Sequence, residues 1–339
     1  MKQAVMTAPG EITIHDIEAP KPGRDEVLLH IQRIGVCGSD VHVFHGLHPY
    51  TSYPVVQGHE FSATLAAVGE GVEGLTPGMK VTSMPQIVCG KCAPCLRGDY
   101  HICDYLKVQG FQAPGCAQEY WVTDAEKVVP LPESFSYEQG ALVEPVSVAV
   151  HSTSRAGDIQ GRRVAVLGAG PIGNLVGQVA RANGAQVLIT DLSEYRLEIA
   201  QQCGLEGISN AAKENLADAA GRIFGPEGFD VVFECVGVED TMTAAIENIQ
   251  KGGTIVVVGV FGDKPRVDMG LVQDRELNLH GTLMYQRTDY ERAVDLIDTG
   301  EVITAPLFSR HFSLDDYLDA YHFIDTQSDK TMKVFIDVN

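Results

Sequence analysis

One stretch of this sequence, residues 163–191, constrains the fold more than any other. A short apolar run ending at Leu167 is followed by GAGPIG at residues 168–173, then by a helical pattern and a second apolar run that ends at Asp191. A G-x-G-x-x-G segment between a strand and a helix, with an acidic residue about 20 positions on, is typical of a dinucleotide-binding βαβ unit. The stretch therefore predicts a parallel sheet with helices on its faces.

The residues of this loop have separate roles in such a unit. Gly168 permits the tight turn, Gly170 lets the backbone approach a pyrophosphate, and Gly173 lets the helix pack close to the strand. The first helical turn, with Pro171 and Ile172, offers free N–H groups and the positive end of the helix dipole to phosphates. These five residues are predicted to bind a dinucleotide cofactor.

The acidic residue at the end of the second strand bears on which cofactor is bound. Asp191 can accept hydrogen bonds from the adenosine ribose hydroxyls and would repel a 2′-phosphate, which favours NAD. Arg196 follows within reach, and because an arginine can serve a 2′-phosphate, NADP stays open as the alternative. Further candidate cofactor contacts are Gly259, Val260, Leu283 and Met284.

A second segment, from Cys37 to Glu60, gathers side chains that suit a divalent metal. Cys37, His59 and Glu60 offer a thiolate, an imidazole and a carboxylate, and three protein ligands leave one zinc position open to substrate. Asp40 can orient an imidazole from behind the metal site. Two further histidines are interpreted as ordinary core or surface residues, His45 and His48.

Four cysteines form a separate cluster within residues 86–106. Cys89, Cys92, Cys95 and Cys103 have the spacing Cys-x2-Cys-x2-Cys-x7-Cys. Four thiolates close a tetrahedral zinc site with no open position, so the spacing favours structural zinc. An iron–sulfur cluster is the competing interpretation, although the last spacing differs from that of ferredoxins and no second cysteine set is present.

Composition excludes several classes of function. The formal charge of −20 argues against binding to nucleic acid or to an anionic membrane. The N-terminus has no apolar stretch typical of a signal peptide, and no apolar run reaches the length of a membrane span, so we expect a cytoplasmic protein. Without a signal peptide, metal binding by the clustered cysteines is favoured over disulfides. The remaining thiols are expected to be inert core residues, namely Cys116, Cys203 and Cys235.

The rest of the chain divides into two kinds of pattern. Residues 1–35, 61–81 and 117–132 alternate apolar and polar positions between turns, which predicts a β-rich first domain. After residue 150, strands and helices alternate, which predicts an α/β domain. In that second part strands are expected at 229–235, 253–258 and 277–283 and helices at 239–250 and 288–299, and a last strand at 332–338 is expected to return to the first domain.

These pieces together resemble the zinc-dependent medium-chain dehydrogenases along essentially the whole chain. The matching segments are CGSDVH, GHE, the four-cysteine cluster, VEP and GAGPIG with Asp191. Glu60 and Glu144 make the chain more similar to the sorbitol, threonine and sugar-acid dehydrogenases than to the ethanol enzymes. Taken by itself, Glu144 is equally compatible with a zinc ligand and with a paired or exposed carboxylate.

The resemblance implies an α/β fold of two domains. A GroES-like β-barrel catalytic domain would comprise residues 1–149 and 286–339, with the zinc lobe at 86–106. A Rossmann domain with a doubly wound parallel sheet would occupy residues 150–285. The site would lie in the cleft between the domains, and the protein would be a homodimer or a homotetramer.

The resemblance also assigns roles to particular residues. Cys37, His59 and Glu60 match the catalytic zinc ligands, and Glu144 matches an exchangeable fourth ligand. Behind and beside them, Asp40 matches the residue that buttresses the histidine, and Ser39 and His42 match a proton relay. The implied cofactors are two zinc ions per chain and NAD.

The implied reaction is reversible oxidation of a secondary alcohol, in a polyol or a sugar acid, to its ketone. Four polar candidates could bind further hydroxyls or a carboxylate of such a substrate, although a surface role suits each of them equally: His45, Tyr50, Gln112 and Arg287. Two departures from the family pattern bear on it. Ala63 stands where glycine usually follows the GHE motif, which should affect packing alone, and Met284 stands where sorbitol dehydrogenases carry an arginine, which weakens sorbitol as substrate. The alternatives are an L-threonine 3-dehydrogenase-like enzyme and an inactive, zinc-stabilised binding protein.

Overall fold

A computed structural model describes residues 1–338 and divides the chain into two compact units. Of the described residues, the first unit contains 1–144, 286–294 and 308–338, and the second contains 145–285 and 295–307. The sequence assigned 145–149 and 295–307 to the first domain, whereas the structure packs both segments into the second unit. Each segment continues a helix, and a helix gives no signal in sequence of where along its length the packing partner changes.

The first unit is built on a seven-stranded sheet. The strands of this unit are β1 (Lys2–Ala8), β2 (Glu11–Asp16), β3 (Glu26–Gly35), β4 (Glu60–Val68), β5 (Lys80–Ser83), β6 (Gln86–Ile87), β7 (Lys107–Val108), β8 (Tyr120–Asp124), β9 (Val128–Pro130), β16 (Phe308–Ser313) and β17 (Lys333–Asp337). The order in the main sheet is β16-β17-β3-β4-β5-β9, with β8 paired to β3, and two smaller sheets pair β1 with β2 and β6 with β7. The helices of this unit are α1 (Gly38–Phe44), α2 (Ala93–Leu96) and α10 (Tyr317–Thr326). This architecture is GroES-like.

Strand register brings distant parts of the first unit to one place. The central strand β3 pairs antiparallel with β4 and with β17, so Gly35 lies opposite Glu60 on one side and opposite Phe335 on the other. Alternate residues of β3, including Val27, Leu29 and Ile31, are fully buried, as expected for a strand with one face on the core. The end of β3 therefore meets the start of β4 and the start of β17.

The second unit has the predicted doubly wound parallel sheet. Its strands are β10 (Arg163–Leu167), β11 (Gln186–Asp191), β12 (Gly207–Asn210), β13 (Val231–Glu234), β14 (Thr254–Val257) and β15 (Asn278–Gly281). All five strand pairings in the sheet are parallel, and the order is β12-β11-β10-β13-β14-β15. Its helices are α4 (Pro171–Ala182), α5 (Glu194–Gln202), α6 (Leu216–Phe224), α7 (Glu239–Asn248) and α8 (Met269–Asp274). The division between the units falls within α3 (Tyr137–Ser154) and α9 (Arg287–Asp298).

Four elements of the second unit were not predicted from the sequence. Strand β12 is short and bounded by polar residues, and it forms because β11 provides a paired edge, with Ile189 opposite Ile208. Helices α5, α6 and α8 were also unassigned. Among the described residues, none of the helices is both long and apolar enough to cross a bilayer.

Candidate metal centres and cofactor-binding edge

The first candidate metal centre lies where α1 and β4 begin. The ligand atoms of Cys37, His59 and Glu60 all lie within 4.8 Å of one another. Cys37 is the N-cap of α1, while His59 precedes β4 and Glu60 is its first residue. A thiolate, an imidazole and a carboxylate at this separation fit a zinc ion with one position left for another ligand.

Asp40 supports this centre mainly through the backbone. Its Oδ2 accepts the N–H of Cys37 at 3.0 Å, which fixes the residue that precedes α1. Its Oδ1 lies 3.5 Å from Nδ1 of His59, beyond hydrogen-bonding geometry, and Nδ1 has no hydrogen-bond partner among residues 1–338. Gln57 reaches the same carboxylate at 3.4 Å and in turn accepts the hydroxyl of Tyr321 at 2.6 Å. The predicted buttress therefore lies at ion-pair distance from His59, without a well-aligned hydrogen bond to it.

The electrostatic surroundings of His59 are unusual for a buried imidazole. Burial alone would lower its pKa, but the Asp40 carboxylate and the Cys37 thiol raise that pKa well above the ordinary value. In the metal-free state the imidazole is thus surrounded by groups that favour a cation. A zinc ion would supply a positive charge at the same place.

Glu60 is already engaged by a residue that the sequence analysis missed. Nζ of Lys333 donates to both carboxylate oxygens of Glu60, at 2.9 Å and 2.7 Å, and to the carbonyl oxygen of Val36 at 3.2 Å. Gly35 makes room for this pair, since a Cβ there would lie 2.5 Å from Glu60 Oε2 and 3.4 Å from the Lys333 stem. A lysine at the start of an apolar strand was the available signal in sequence.

Glu144 is close enough to this ammonium to affect it. Burial lowers the pKa of Lys333, whereas Glu60, Cys37 and Glu144 raise it, with a net shift upward. Glu144 is itself buried, in the first half of α3, but does not join the cluster of ligand atoms formed by the other three residues. Its predicted role as a fourth ligand would need a shift of the side chain.

The predicted relay residues share one short helix. Ser39 and His42 lie three positions apart on α1, a spacing that places two side chains on the same helix face. Ser39 is half-buried and His42 is exposed. A proton path from the metal centre to solvent along this helix face stays a prediction.

An aromatic stack covers one side of the centre. The ring of Phe111 lies 4.9 Å from that of His59 and 4.9 Å from that of His48. Of the other polar candidates, His45 pairs with Asp325 at 2.9 Å and Tyr50 is largely exposed. Of the remaining two, Gln112 donates to the Tyr50 carbonyl oxygen, and Arg287 donates to the carbonyl oxygens of Glu126 and Val128. The Arg287 guanidinium is thus already hydrogen-bonded to the backbone, which is a structural role and not a substrate-binding one.

The second candidate metal centre is the four-cysteine lobe. The Sγ atoms of Cys92 and Cys103 are 3.7 Å apart. Two sulfurs that each lie about 2.3 Å from a tetrahedral zinc are separated by about 3.8 Å. The arrangement therefore fits a zinc ion without rearrangement of these two cysteines.

Backbone N–H groups prepare the lobe for thiolates. The sulfur of Cys89 accepts from Lys91 and Cys92, and the sulfur of Cys103 accepts from Cys89 and Tyr105 at 3.3 Å each. The donors to Cys89, led by the N–H of Lys91, lower its pKa to about 6, whereas burial raises the pKa of Cys95 to about 12. Cys89 is thus readily available as a ligand, while Cys95 would lose its proton when a metal binds.

The glycine loop has the geometry that its sequence predicted. Gly168 has φ +98°, and a Cβ on Gly173 would lie 1.9 Å from the Gly168 carbonyl oxygen, so both positions require glycine. Gly170 is the N-cap of α4, and a Cβ there would meet a single atom within 4 Å, on Arg196. Open space above a helix N-terminus with free N–H groups fits a phosphate.

Asp191 ties the ends of two neighbouring strands together. Its two carboxylate oxygens accept the N–H groups of Ala169 at 2.7 Å and of Ser193 at 2.9 Å. The guanidinium of Arg196 lies 3.8 Å from the same carboxylate. The Asp191 carboxylate still has lone pairs that could accept hydrogen bonds from ribose hydroxyls. Its negative charge also attracts the Arg196 guanidinium.

Exposed apolar side chains gather at the carboxyl ends of the parallel strands. They follow four different strands, and they are Leu192 after β11, Val236 and Val238 after β13, Val260 after β14 and Leu283 after β15. Val260 is 69% exposed. Ligands of open α/β sheets bind at this edge, and apolar side chains there suit flat rings such as those of a dinucleotide.

Comparison with known proteins places this architecture in one family. Residues 23–133 match the model of the alcohol dehydrogenase GroES-like domain, and residues 171–299 match that of the zinc-binding dehydrogenases. A 2-dehydro-3-deoxy-L-galactonate 5-dehydrogenase of Pseudoalteromonas atlantica is 36% identical over 95% of this chain and 93% of its own. An L-threonine 3-dehydrogenase of Rhizobium johnstonii is 33% identical over 99% of both chains.

A solved structure agrees along the whole chain. It is a protein described as a zinc-binding dehydrogenase from Sinorhizobium meliloti 1021, bound to NADP, with 30% identity, a TM-score of 0.91 and coverage of 99% of this chain and 98% of that one. The chain belongs to the zinc-type medium-chain dehydrogenase family. It is accordingly an oxidoreductase of CH–OH donors that uses zinc and a nicotinamide cofactor.

Proposed function

We propose that this enzyme interconverts a secondary alcohol of a polyol or a sugar acid and the corresponding ketone, with NAD as hydride carrier. The observation that carries the proposal is the Cys37, His59 and Glu60 cluster, whose ligand atoms lie within 4.8 Å of one another. The 36% identity to a sugar-acid dehydrogenase supports the substrate class. The carboxylates of Glu60 and Glu144 give the centre a harder donor set, which suits a substrate with a second oxygen beside its hydroxyl.

The protein's part at the metal is to hold and orient. A bound zinc ion supplies Lewis-acid polarisation of a substrate oxygen. Cys37, His59 and Glu60 would hold it, and Glu144 is proposed as the carboxylate that exchanges with substrate. Asp40 fixes the backbone of Cys37, and Phe111 packs against the His59 ring, so these two zinc ligands are held in place.

Proton transfer is assigned to α1. Oγ of Ser39 would accept the proton of the substrate hydroxyl while it releases its own, and the imidazole of His42 would take up that proton and release one to solvent. Their spacing on one helix face and the exposure of His42 support this direction of transfer. A positioned acid–base pair of this kind contributes about 10²–10⁴-fold to rate.

The cofactor would bind at the carboxyl edge of the parallel sheet. NAD supplies the hydride acceptor, and the protein supplies position. Gly168, Gly170 and Gly173, with Pro171 and Ile172, would cradle the pyrophosphate at the N-terminus of α4. Asp191 would hold the adenosine ribose and favour NAD over NADP, because its carboxylate repels a 2′-phosphate.

Arg196 could reverse that preference only by leaving Asp191. Its guanidinium lies 3.8 Å from the Asp191 carboxylate, so the carboxylate partly neutralises the positive charge that a 2′-phosphate would need. Further contacts to the cofactor are proposed for Gly259, Val260, Leu283 and Met284. The exposure of Val260 and Leu283 at the ligand-binding edge supports the assignment.

A substrate screen tests the proposal. Purified zinc-loaded protein is offered polyols, aldonates, L-threonine and ethanol, each with NAD and with NADP, while the absorbance of the reduced cofactor is followed. Turnover of a polyol or sugar acid with NAD is expected. Turnover of ethanol alone would refute the substrate class, and full activity in metal-free protein would refute the metal's role.

An L-threonine 3-dehydrogenase activity is the second candidate. The 33% identity to such an enzyme over 99% of both chains favours it, and the metal ligands would be the same. A kcat/KM for L-threonine above that for every polyol and aldonate would select this candidate. The inactive binding protein would instead bind zinc and NAD with no turnover of any alcohol.

We also propose a cytoplasmic homodimer or homotetramer. None of the eight cysteines, all of which lie within the described residues, forms a disulfide, which suits a reducing compartment. Light scattering of the zinc-loaded protein would give the number of chains in the assembly.

A further inference from the structure

Glu234 is a buried carboxyl group at the end of β13 that the proposed chemistry does not use. Its side chain is fully buried, and Oε1 accepts three hydrogen bonds. The donors are the N–H groups of Val236 and Gly237, both at 2.9 Å, and the hydroxyl of Thr241 at 2.7 Å. One oxygen atom therefore fixes the chain from β13 into the first turn of α7.

The main-chain carbonyl of Glu234 also fixes the residues that follow the neighbouring strand, β14. The carbonyl oxygen of Glu234 accepts the N–H groups of Val258 and Gly259, both at 2.8 Å. Residues 235–238, which we call the β13 loop, and residues 258–260, the β14 loop, are thus both fastened to Glu234. These loops follow two adjacent strands of the parallel sheet.

The two loops pack backbone against backbone. A Cβ on Gly259 would lie 2.3 Å from the amide nitrogen of Gly237 and 2.8 Å from Oε2 of Glu234. A Cβ on Gly237, where φ is +83°, would lie 2.5 Å from the carbonyl oxygen of Val260. The two backbones are thus in direct contact, with no space for a side chain at either glycine. Because both loops are also hydrogen-bonded to Glu234, a displacement of Glu234 would move both of them.

Stability alone does not account for this carboxyl group. Oε2 has no hydrogen-bond partner within residues 1–338, and an unsatisfied buried oxygen is unfavourable. The residues before it on β13, Val231, Val232 and Phe233, are all buried and apolar. What an apolar side chain could not provide at position 234 is a single acceptor for three converging donors.

The position of the β13 and β14 loops in the sheet indicates which ligand they face. The parallel sheet changes direction between β10 and β13, and dinucleotides bind across such a switch point. On one side, the glycine loop follows β10 and Asp191 ends β11, so the adenosine half belongs there. The β13 and β14 loops lie on the other side, where the second nucleotide of the cofactor must bind.

We propose that Glu234 is a positioning residue for the nicotinamide-bearing half of the cofactor. It acts by holding the β13 and β14 loops in register, so that their exposed apolar side chains and backbone form one surface. The inference rests on the proposed use of NAD. It separates the two halves of the site, because Asp191 bonds the loops after β10 and β11, whereas Glu234 bonds the loops after β13 and β14.

Binding of NAD and of 5′-AMP to the zinc-loaded protein tests this division. We expect Glu234→Ala to weaken NAD binding about tenfold, since three donors lose their acceptor, and to change AMP binding by less than about twofold. Glu234→Gln retains an amide oxygen for the same donors and is expected to restore most of the NAD affinity. Isothermal titration calorimetry gives both dissociation constants for each variant.

A second pair of variants covers the case in which Glu234→Ala fails to fold. Thr241→Val removes one of the three donors and is expected to weaken NAD binding by about threefold, again without loss of AMP binding. Thr241→Ser keeps the hydroxyl and should match the parent protein. Val232→Ala is the control for general destabilisation, because Val232 is fully buried on the same strand and has no hydrogen-bonding side chain.

The outcomes separate this inference from the proposed function. Parallel loss of NAD and AMP affinity in Glu234→Ala, or a selective NAD loss in Val232→Ala as well, would overturn the inference and leave Glu234 a residue of fold stability. Unchanged NAD affinity in Glu234→Ala and Thr241→Val would also overturn it. If the parent protein binds AMP but not NAD, the proposed function fails first and the inference fails with it.

Discussion

Lys333 and Glu60 form a buried ion pair, with Nζ 2.7 Å from Oε2 and with side chains that are 4% and 1% exposed. Glu60 is also one of three residues whose ligand atoms could hold a metal. The ammonium and a zinc ion therefore compete for the same carboxylate. Such a competition makes Glu60 a ligand that can be released without leaving an unpaired charge behind.

We expect Lys333→Met to tighten zinc binding at this centre and to destabilise the metal-free chain. Without the ammonium, Glu60 is buried and unpaired until a metal binds, and breaking a buried pair in this way costs about 3–5 kcal/mol. Chelator competition measures the zinc affinity, and guanidinium denaturation of metal-free protein measures the free energy of unfolding. Lys333→Arg keeps a cation and is the matched control. Weaker zinc retention in Lys333→Met than in Lys333→Arg would contradict the competition.

Removal of the two carboxylates of the centre, Glu60 and Glu144, should affect zinc affinity and turnover to different extents. Glu60→Ala is expected to lower zinc affinity, because Glu60 belongs to the cluster of ligand atoms. Glu144→Ala is expected to lower turnover with less metal loss, because Glu144 lies outside that cluster. Loss of Cys37 or of His59 should abolish activity, since two protein ligands hold zinc poorly. Metal analysis and kcat measured on the same samples decide the order, and equal zinc loss in both glutamate variants would speak against it.

The four-cysteine lobe is expected to bind a structural zinc. Cys103→Ser removes one of four thiolates and should lower the zinc content by about one ion per chain, together with thermal stability. Cys203→Ser is the control, because Cys203 is a buried thiol outside both clusters. Full metal content and unchanged melting temperature in Cys103→Ser would show that the assignment is wrong.

Cofactor choice depends on Asp191. Asp191→Ala should weaken NAD binding by about 1.5–3 kcal/mol, or roughly ten- to a hundred-fold, and relax discrimination against NADP. Part of that loss comes from the loop, because the carboxylate also accepts the N–H groups of Ala169 and Ser193. Asp191→Asn removes the charge but keeps one acceptor, so it separates the two contributions. Dissociation constants for both cofactors provide the check, and a preference of the parent protein for NADP would refute the assignment.

The stability of the second unit should depend on acid through Asp230. Hydrogen bonds from the Arg163 guanidinium, at 3.1 Å and 2.9 Å, lower the pKa of Asp230. A carboxyl group whose pKa is depressed by folding stabilises the protein above its unfolded pKa of about 3.9, and this contribution is lost as the pH falls through the folded pKa. Asp230→Asn should therefore cost about 1–3 kcal/mol near neutral pH and less below about pH 4.

Guanidinium denaturation of the parent protein and Asp230→Asn across pH 3–7 measures that difference. Protonation of metal ligands affects both proteins alike and cancels in the comparison. A difference in the free energy of unfolding that stays constant over the whole range would contradict the assigned pKa direction.

Features that are local in the chain could be predicted from sequence. The four cysteines lie within 15 residues, and the glycine loop follows directly from its strand, so spacing alone brought their atoms together. Cys37, His59 and Glu60 were also identified from one segment, because a divalent metal needs those donor types. The alternation of strands and helices predicted the parallel sheet, since a helix between two strands returns the chain to the same end of the sheet, so that the strands run parallel.

Tertiary structure decided which groups meet from far apart and which groups are buried. Lys333 reaches Glu60 across 273 positions because β17 and β4 both pair with β3, and because Gly35 leaves the space that the pair fills. Strand β12 exists because β11 offers it a paired edge. Glu234 reads in sequence as an ordinary acid at a strand end. Its role follows from burial, where an acceptor shared by three donors can hold two loops together because no water competes for those hydrogen bonds.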